Sequence, residues 1–238
     1  MHIIKDDYST IYHKLLDTIY FSPDFHLYDG YKESLNVSFT LTNIMNNKVI
    51  NKNKEPNYDY AKAYFKHIIS GNTNINKLAE INPIVKKFTD STGLPTNFTS
   101  QYGPRIKSQL PRVIKLLKED THTRRAVINI LDKDDKIIWD IETTHEYPCT
   151  NIIHFFIRKN KLHCLVQMRS NNMVNTITYD VYIFTNLMKY VYNKLKKKEE
   201  IGYKGLQWGN YHHQISSAHI FNRDNKLVEL ILKGEANE

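Results

Sequence analysis

Two stretches of this chain carry residues that could do chemistry, Tyr147-Pro148-Cys149-Thr150-Asn151 and Arg169-Ser170-Asn171-Asn172. In the first, a thiol follows a proline at the mouth of an apolar run. In the second, a guanidinium and a hydroxyl close the next apolar run. A thiol near fixed cations is the setting in which a thiolate forms at neutral pH and attacks an electrophilic carbon. The competing reading of Cys149 is a small buried apolar residue. The residues alone leave both open.

The elements between these stretches decide whether they can meet. Residues 152–158 are β-branched and aromatic and predict a strand. Lys159-Asn160-Lys161 is turn-like, and residues 162–168 predict a second strand. The resulting hairpin carries the thiol at one end of its sequence and the Arg-Ser pair at the other. Cys164 falls on the second arm. The two cysteines have neither metal-ligand spacing nor the pattern of a disulfide framework.

Upstream, Ile11, Leu15, Leu16 and Ile19 recur at helical spacing and predict a helix over 8–20. Alternation over 35–42 predicts a half-buried strand. Residues 46–57 read as loop, 58–69 as a helix stopped by Gly71, and 76–81 as a short helix. Gly93, Pro95, Gly103 and Pro104 mark 90–104 as a long loop. A helix is predicted over 108–118, with strands at 126–131 and 137–139. Downstream, Phe184, Leu187, Met188, Val191 and Leu195 give a wide apolar stripe on a helix over 179–198. Strands are predicted at 215–221 and 227–232. Helices interleaved with hairpin-like strands favour α+β over a doubly wound sheet.

The 238 residues are 41% hydrophobic and 24% charged, an ordinary globular composition. No apolar run reaches bilayer-spanning length. The first residues lack the apolar centre of a signal peptide, so a cytoplasmic location is the expectation. The net charge of +8 suits an anionic ligand. Its lysines are spread along the chain, and the run Lys194 to Lys198 reads as a solvated helix end, so nucleic acid is a weak candidate partner.

Several short motifs then agree. Gly71-Asn72-Thr73-Asn74-Ile75, Tyr102-Gly103, Thr123-Arg124-Arg125, Pro148-Cys149-Thr150-Asn151, Met168-Arg169-Ser170-Asn171, Tyr179-Asp180 and Ala218-His219-Ile220-Phe221 occur in this order. In these pieces, over roughly residues 58 to 222, the chain resembles the thymidylate synthase family. It is most similar to the deoxycytidylate hydroxymethylase branch, because Thr150-Asn151 stands where synthases usually have a histidine after the cysteine. The resemblance implies one domain over 1–238, with a mixed sheet, flanking helices and a sheet-to-sheet homodimer. It implies a pyrimidine nucleoside monophosphate as substrate and 5,10-methylenetetrahydrofolate as one-carbon donor.

The resemblance also implies roles. Cys149 would add to carbon 6 of the pyrimidine. Arg169, Ser170 and Asn171 would hold the nucleotide from their own subunit, with Asn151 nearby. Arg124 and Arg125 would reach the phosphate from the partner subunit. His219 would contact the sugar, and Tyr102 would border the active-site water. Asp180 stands where synthases carry an asparagine that reads uracil. An ionised carboxylate only accepts hydrogen bonds and suits the 4-amino group of cytosine. Its competing reading is a helix N-terminal carboxylate.

Against the pattern, Tyr64 or Ala61 occupies the place of a glutamate that manages protons, with Asp59 and Glu55 the nearest carboxylates. Asn172 replaces an aspartate that contacts the pterin. Phe221 replaces a tyrosine of the sugar site, which loosens sugar recognition and admits a ribonucleotide. The only tryptophans are Trp139 and Trp208, and a short or missing closing segment is expected after His219. Nucleotide binding is therefore better supported than folate use. Methylation of a uracil nucleotide and a non-catalytic nucleotide binder are the alternatives.

Overall fold

The computed structural model describes residues 1–88, 102–133, 135, 148–196 and 205–235. The strand predicted at 137–139 lies outside them. Among the described residues the elements run β1 (His2–Lys5), α1 (Tyr8–Phe21), β2 (Phe25–His26), β3 (Tyr31–Leu41), α2 (Tyr58–Ser70), α3 (Asn76–Ile81), α4 (Tyr102–Glu119), β4 (Val127–Asn129), β5 (Thr150–Arg158), β6 (Lys161–Asn172), α5 (Ile177–Lys196), β7 (Gln207–Phe221) and α6 (Asn225–Glu235). A 3₁₀ turn over Pro83–Phe88 follows α3, and another over Asn222–Asp224 precedes α6.

The strands form one mixed seven-stranded sheet in the order β1-β3-β7-β6-β5-β4, with β2 on the flank of β3. β1 with β3 and β6 with β7 run parallel, and the other pairs are antiparallel. The α+β expectation holds. β5 and β6 do form the hairpin. Its turn residues Lys159 and Asn160 have φ of 49° and 55°, which suits the right-handed twist of a two-residue connection. β7 is longer than its predicted core because the strand already pairs with β6 from Gln207 and with β3 from Tyr211, mixing glycine, asparagine and histidines into it.

Alternation sets the two faces of the sheet. Ile153, Phe155 and Ile157 of β5, Leu162, Cys164, Val166 and Met168 of β6, and Tyr211 and Ile215 of β7 are buried in one core with α1, α4 and α5. Cys164 is therefore a core residue. The opposite face carries Phe156, stacked on His163 at 5.4 Å and on His212 at 6.3 Å. Helix ends follow local chemistry. Asp7 accepts from the Thr10 amide at 2.8 Å and starts α1. Gly71 takes a left-handed φ of 69° and ends α2.

Two expectations are corrected. Residues 102–104 belong to α4, not to a loop. Pro104 sits in the first turn, where an amide hydrogen has no intrahelical partner to lose. Residues 227–232 are helix, not strand. Val228 and Ile231 are both buried while Leu230 is half exposed, which is helical spacing onto α1 rather than alternation. Among the described residues no helix is long and apolar enough to cross a membrane.

The α6 assignment has a direct check. Ile231→Ala should cost about 2–4 kcal/mol in urea denaturation, the range for emptying a buried isoleucine site. Leu230→Ala should stay within about 0.5 kcal/mol of the parent. A strand would put Leu230 on the buried face with Val228, so Leu230→Ala would then be the costly change and Ile231→Ala the mild one.

Candidate active site

Antiparallel pairing of β5 with β6 brings the two ends of the hairpin sequence to one place. Thr150 lies opposite Met168, and the Arg169 amide donates to the Cys149 carbonyl at 2.8 Å. The Arg169 side chain then turns onto the same corner. Its Nε donates to the Pro148 carbonyl at 3.0 Å, and its Nη2 lies 3.8 Å from Cys149 Sγ. Tyr102, the first residue of α4, accepts from the Thr150 amide at 3.2 Å. Three elements thus hold the backbone on either side of the thiol.

The Cys149 thiol is pushed above its usual range chiefly by burial. The Arg169 cation opposes this shift and the Asp180 carboxylate adds to it. The Tyr102 phenol is also raised, by burial first and then by the charges of Cys149 and Asp180. These three groups therefore sense one another electrostatically.

Asp180 sits in the first turn of α5, as a helix N-terminal carboxylate would. Burial pushes its carboxyl up to about 7, against hydrogen bonds with Asn171 and Thr176 that favour ionisation. Behind it lies a buried polar chain. Thr176 Oγ1 donates to Asn171 Oδ1 at 2.9 Å, Asn171 Nδ2 lies 3.4 Å from His213 Nε2, and His213 Nδ1 lies 2.6 Å from the Tyr211 hydroxyl. Burial holds His213 neutral, with its pKa at about 3. Asn171 is itself enclosed, and its side chain belongs to this chain. It also hydrogen-bonds the Asp180 carboxyl.

Ser170 Oγ and His219 Nδ1 are 3.3 Å apart, where β6 and β7 run side by side. Burial, and then the Arg169 charge, lower the His219 pKa. Asn151 lies at a bulge between β5 and β6, and its backbone carbonyl accepts from Ile130 and Leu131 at 2.9 and 3.2 Å. Its side-chain Oδ1, like Thr150 Oγ1, is buried with no partner among the described residues. Unpartnered buried polar atoms beside a thiol are where a ligand atom is useful. Arg124 and Arg125 lie apart from this group, exposed on the segment between α4 and β4.

Sequence reasoning missed three contributors. Glu33 and Tyr31 of β3 lie beside His219 through strand pairing alone. His213 reads as one histidine among several, and no local signal marks it as buried.

The folate-facing positions fit less well. Asn172 Oδ1 accepts from the amides of Val174 and Asn175, at 2.9 and 2.7 Å, and so caps a turn. Ala61 is enclosed, Tyr64 packs on Tyr60, and Trp208 stacks on Tyr192 at 3.6 Å. None of these described residues offers a carboxylate to a pterin.

The mixed sheet gathers a thiol, a guanidinium, a hydroxyl, an imidazole and a carboxyl near one end. The family model described as thymidylate synthase matches residues 54–238, and the chain belongs to that family. Among curated relatives, a protein of Methanosarcina mazei named "Putative thymidylate synthase" is 30% identical over 146 residues, 58% of this chain and 60% of that protein. Proteins of the same name from Methanosarcina barkeri and Methanococcoides burtonii are 27% and 29% identical over 147 residues. The chain spans about 60% of the length of these relatives.

Two predictions follow from the charges at the site. Iodoacetamide should alkylate Cys149 with a pH midpoint above that of an ordinary thiol, and Arg169→Gln should move the midpoint higher still, since the lowering cation is gone. Mass mapping should show Cys164 unmodified in the folded protein. The second concerns stability. Between about pH 4 and 7 the unfolded chain ionises Asp180 while the folded chain keeps the proton, so this group's contribution falls as pH rises. Asp180→Asn removes that loss. The variant should gain on the order of 1–3 kcal/mol relative to the parent between pH 5 and 8.5, a range discounted because Asp180 is not fully enclosed. Urea denaturation across that range reads the difference directly.

Proposed function

We propose that the protein is a pyrimidine nucleotide 5-hydroxymethyltransferase acting on a cytidine monophosphate, dCMP or CMP, in the manner of the deoxycytidylate hydroxymethylase branch. The observation that carries this reading is Asp180, a carboxyl with its pKa near 7 within electrostatic reach of the Cys149 thiol. An asparagine at this place would donate to the 4-carbonyl of uracil. Protonated, the carboxyl donates to the bare nitrogen 3 of cytosine while its other oxygen accepts from the 4-amino group; ionised, it still accepts from the 4-amino group and offers a 4-carbonyl nothing.

In this mechanism Arg169 and Ser170 take the phosphate. A guanidinium fork matches its oxygens better than an ammonium point would. Arg124 and Arg125 come from the partner subunit. Their exposure leaves them available, and the sheet face bearing Phe156, His163 and His212 would pack on a second copy. The Cys149 thiolate attacks carbon 6, and the carbon 5–carbon 6 π pair moves towards carbon 4. The carbon 4–nitrogen 3 pair moves onto nitrogen 3, which takes the proton from Asp180. Asp180 is left as a carboxylate accepting from nitrogen 3 and the 4-amino group. Carbon 5 is then enamine-like and nucleophilic. Methylenetetrahydrofolate, the donor the family implies, would supply a one-carbon unit at the oxidation level of formaldehyde. The main core, which runs from β1 to α6 beside a smaller cluster around Tyr60, Ile75 and Leu78, supports treating the chain as one catalytic domain.

The test is incubation with dCMP, CMP and dUMP, with and without methylenetetrahydrofolate, followed by product mass. Release of tritium from carbon 5 detects the Cys149 addition even without transfer. Cys149→Ala should abolish release and leave nucleotide affinity within about threefold of the parent. Asp180→Asn should narrow or reverse the preference for cytosine, by about ten- to a hundredfold in relative rate. A parent protein that handles dUMP as well as dCMP and CMP would sink the cytidylate reading in favour of uracil methylation. For the shared site, Arg125→Ala mixed with Cys149→Ala should regain activity in hybrid dimers. A monomeric protein would not complement.

A further inference from the structure

The sugar side of the proposed site shows one gap and one surplus. The gap is Phe221, which has no hydroxyl where the resemblance places a sugar-binding tyrosine. The surplus stands on the neighbouring strand. β3 pairs antiparallel with β7 so that Tyr31 lies opposite Phe221, Glu33 opposite His219 and Leu35 opposite Ser217. On the other side β7 pairs with β6, placing Asn172 beside His219 and Ser170 beside Ser217. Asn172, His219 and Glu33 therefore form one row across three strands, with Ser170 and Ser217 in the next row.

Side chains follow the row. The Tyr31 ring lies 6.2 Å from that of His219 and 6.4 Å from that of Phe221, edge-on to both. Glu33 accepts a hydrogen bond from Ser217 Oγ, and its charge acts on the His219 ring. Lys32, pointing to the other face, donates to the Tyr20 carbonyl at 2.9 Å, so Glu33 has no lysine beside it on its own face of β3. Glu33 is half-buried, and Ser217 is its one hydrogen-bond partner among the described residues. A carboxylate has several acceptor positions and this bond fills one of them. A carboxylate beside a sugar pocket is the group that dinucleotide sites use to take a ribose hydroxyl.

We propose that the sugar site is built for a ribonucleotide, with Glu33 accepting from the 2′-hydroxyl and Tyr31 supplying the phenol that Phe221 lacks. This rests on the reading of His219 as the sugar contact and narrows the substrate class to a ribonucleoside monophosphate. Ser217 is a positioning residue, holding the Glu33 carboxylate beside His219. A deoxynucleotide leaves Glu33 facing carbon 2′ with no donor to meet it, so the site discriminates by an unpaired acceptor.

The experiment is calorimetric titration of the full chain with CMP, dCMP, UMP and dUMP, on the parent, Glu33→Ala, Glu33→Gln and Tyr31→Phe. The parent should bind each ribonucleotide about 10- to 100-fold tighter than its deoxy counterpart. Glu33→Ala should bring CMP down to the level of dCMP while dCMP moves less than about twofold. Glu33→Gln, which keeps one acceptor, should fall between. Tyr31→Phe should weaken both sugars alike. Equal or tighter binding of the deoxynucleotides by the parent overturns the proposal. So does an equal loss for both sugars in Glu33→Ala, which marks a structural role. The sugar ratio is read within each base, so a failed cytosine preference leaves it readable. Binding of none of the four overturns both readings.

Discussion

The site depends on one backbone hydrogen bond, from the Arg169 amide to the Cys149 carbonyl. It closes the open end of the β5–β6 hairpin and converts a sequence separation of twenty residues into side-chain contact. The turn at Lys159-Asn160 sets the register, and a slip of one residue would carry Arg169 to a different place relative to the thiol. The core enforces that register, because a slip would carry the apolar set of one arm, Ile153 and Phe155 or Leu162, Cys164 and Val166, to the other face. Packing far from the thiol is thus what keeps the cation beside it.

A second constraint comes from the helix that packs on the sheet. α5 begins where β6 ends, and the short turn between them is held by Asn172 capping Val174 and Asn175. That turn brings Asp180 within electrostatic reach of the thiol, while β6 delivers Arg169 from within the sheet. α4 brings Tyr102 to Thr150 from a third direction. Groups on rigid elements hold their geometry better than groups on loops. Here the one connection that matters is stiffened by its own side-chain caps.

What was legible in the sequence follows from the range of the interactions. The hairpin, α1, α2, α3 and α5 are local patterns, and each emerged near its expected bounds. Residues 227–232 did not, because six residues with apolar groups on both parities fit either period, and the deciding contact is with α1 at the other end of the chain. The start of α4 was hidden by Gly103 and Pro104, which punctuate loops in most contexts and are tolerated in a first helical turn. For the site, Cys149, Arg169, Ser170, Asp180, His219 and Tyr102 came from motifs, and the structure draws them to one end of the sheet. Asn171 was legible as a position but not as an inward-facing one. Glu33 and Tyr31 had no motif at all. Their proximity to His219 arises from pairing between strands about 190 residues apart in the chain.

The chemistry of the site turns on how many negative charges it can hold. Burial opposes ionisation of both Cys149 and Asp180, and each charge opposes the other. Arg169 is the cation that Cys149 has within reach, so one anion is stabilised far better than two. Groups coupled in this way titrate as a pair, and a thiolate forms more readily when the carboxyl is protonated. In the proposed addition the thiolate becomes a thioether and Asp180 loses its proton to the ring. The number of anions among these two groups is one before the step and one after it. An asparagine could hold the base but could not take up that charge. A carboxyl with a low pKa could take it up but would already be ionised and would raise the thiol. Under the proposed reading, the raised carboxyl is the state in which reading cytosine and forming the thiolate are compatible, and burial is what produces it.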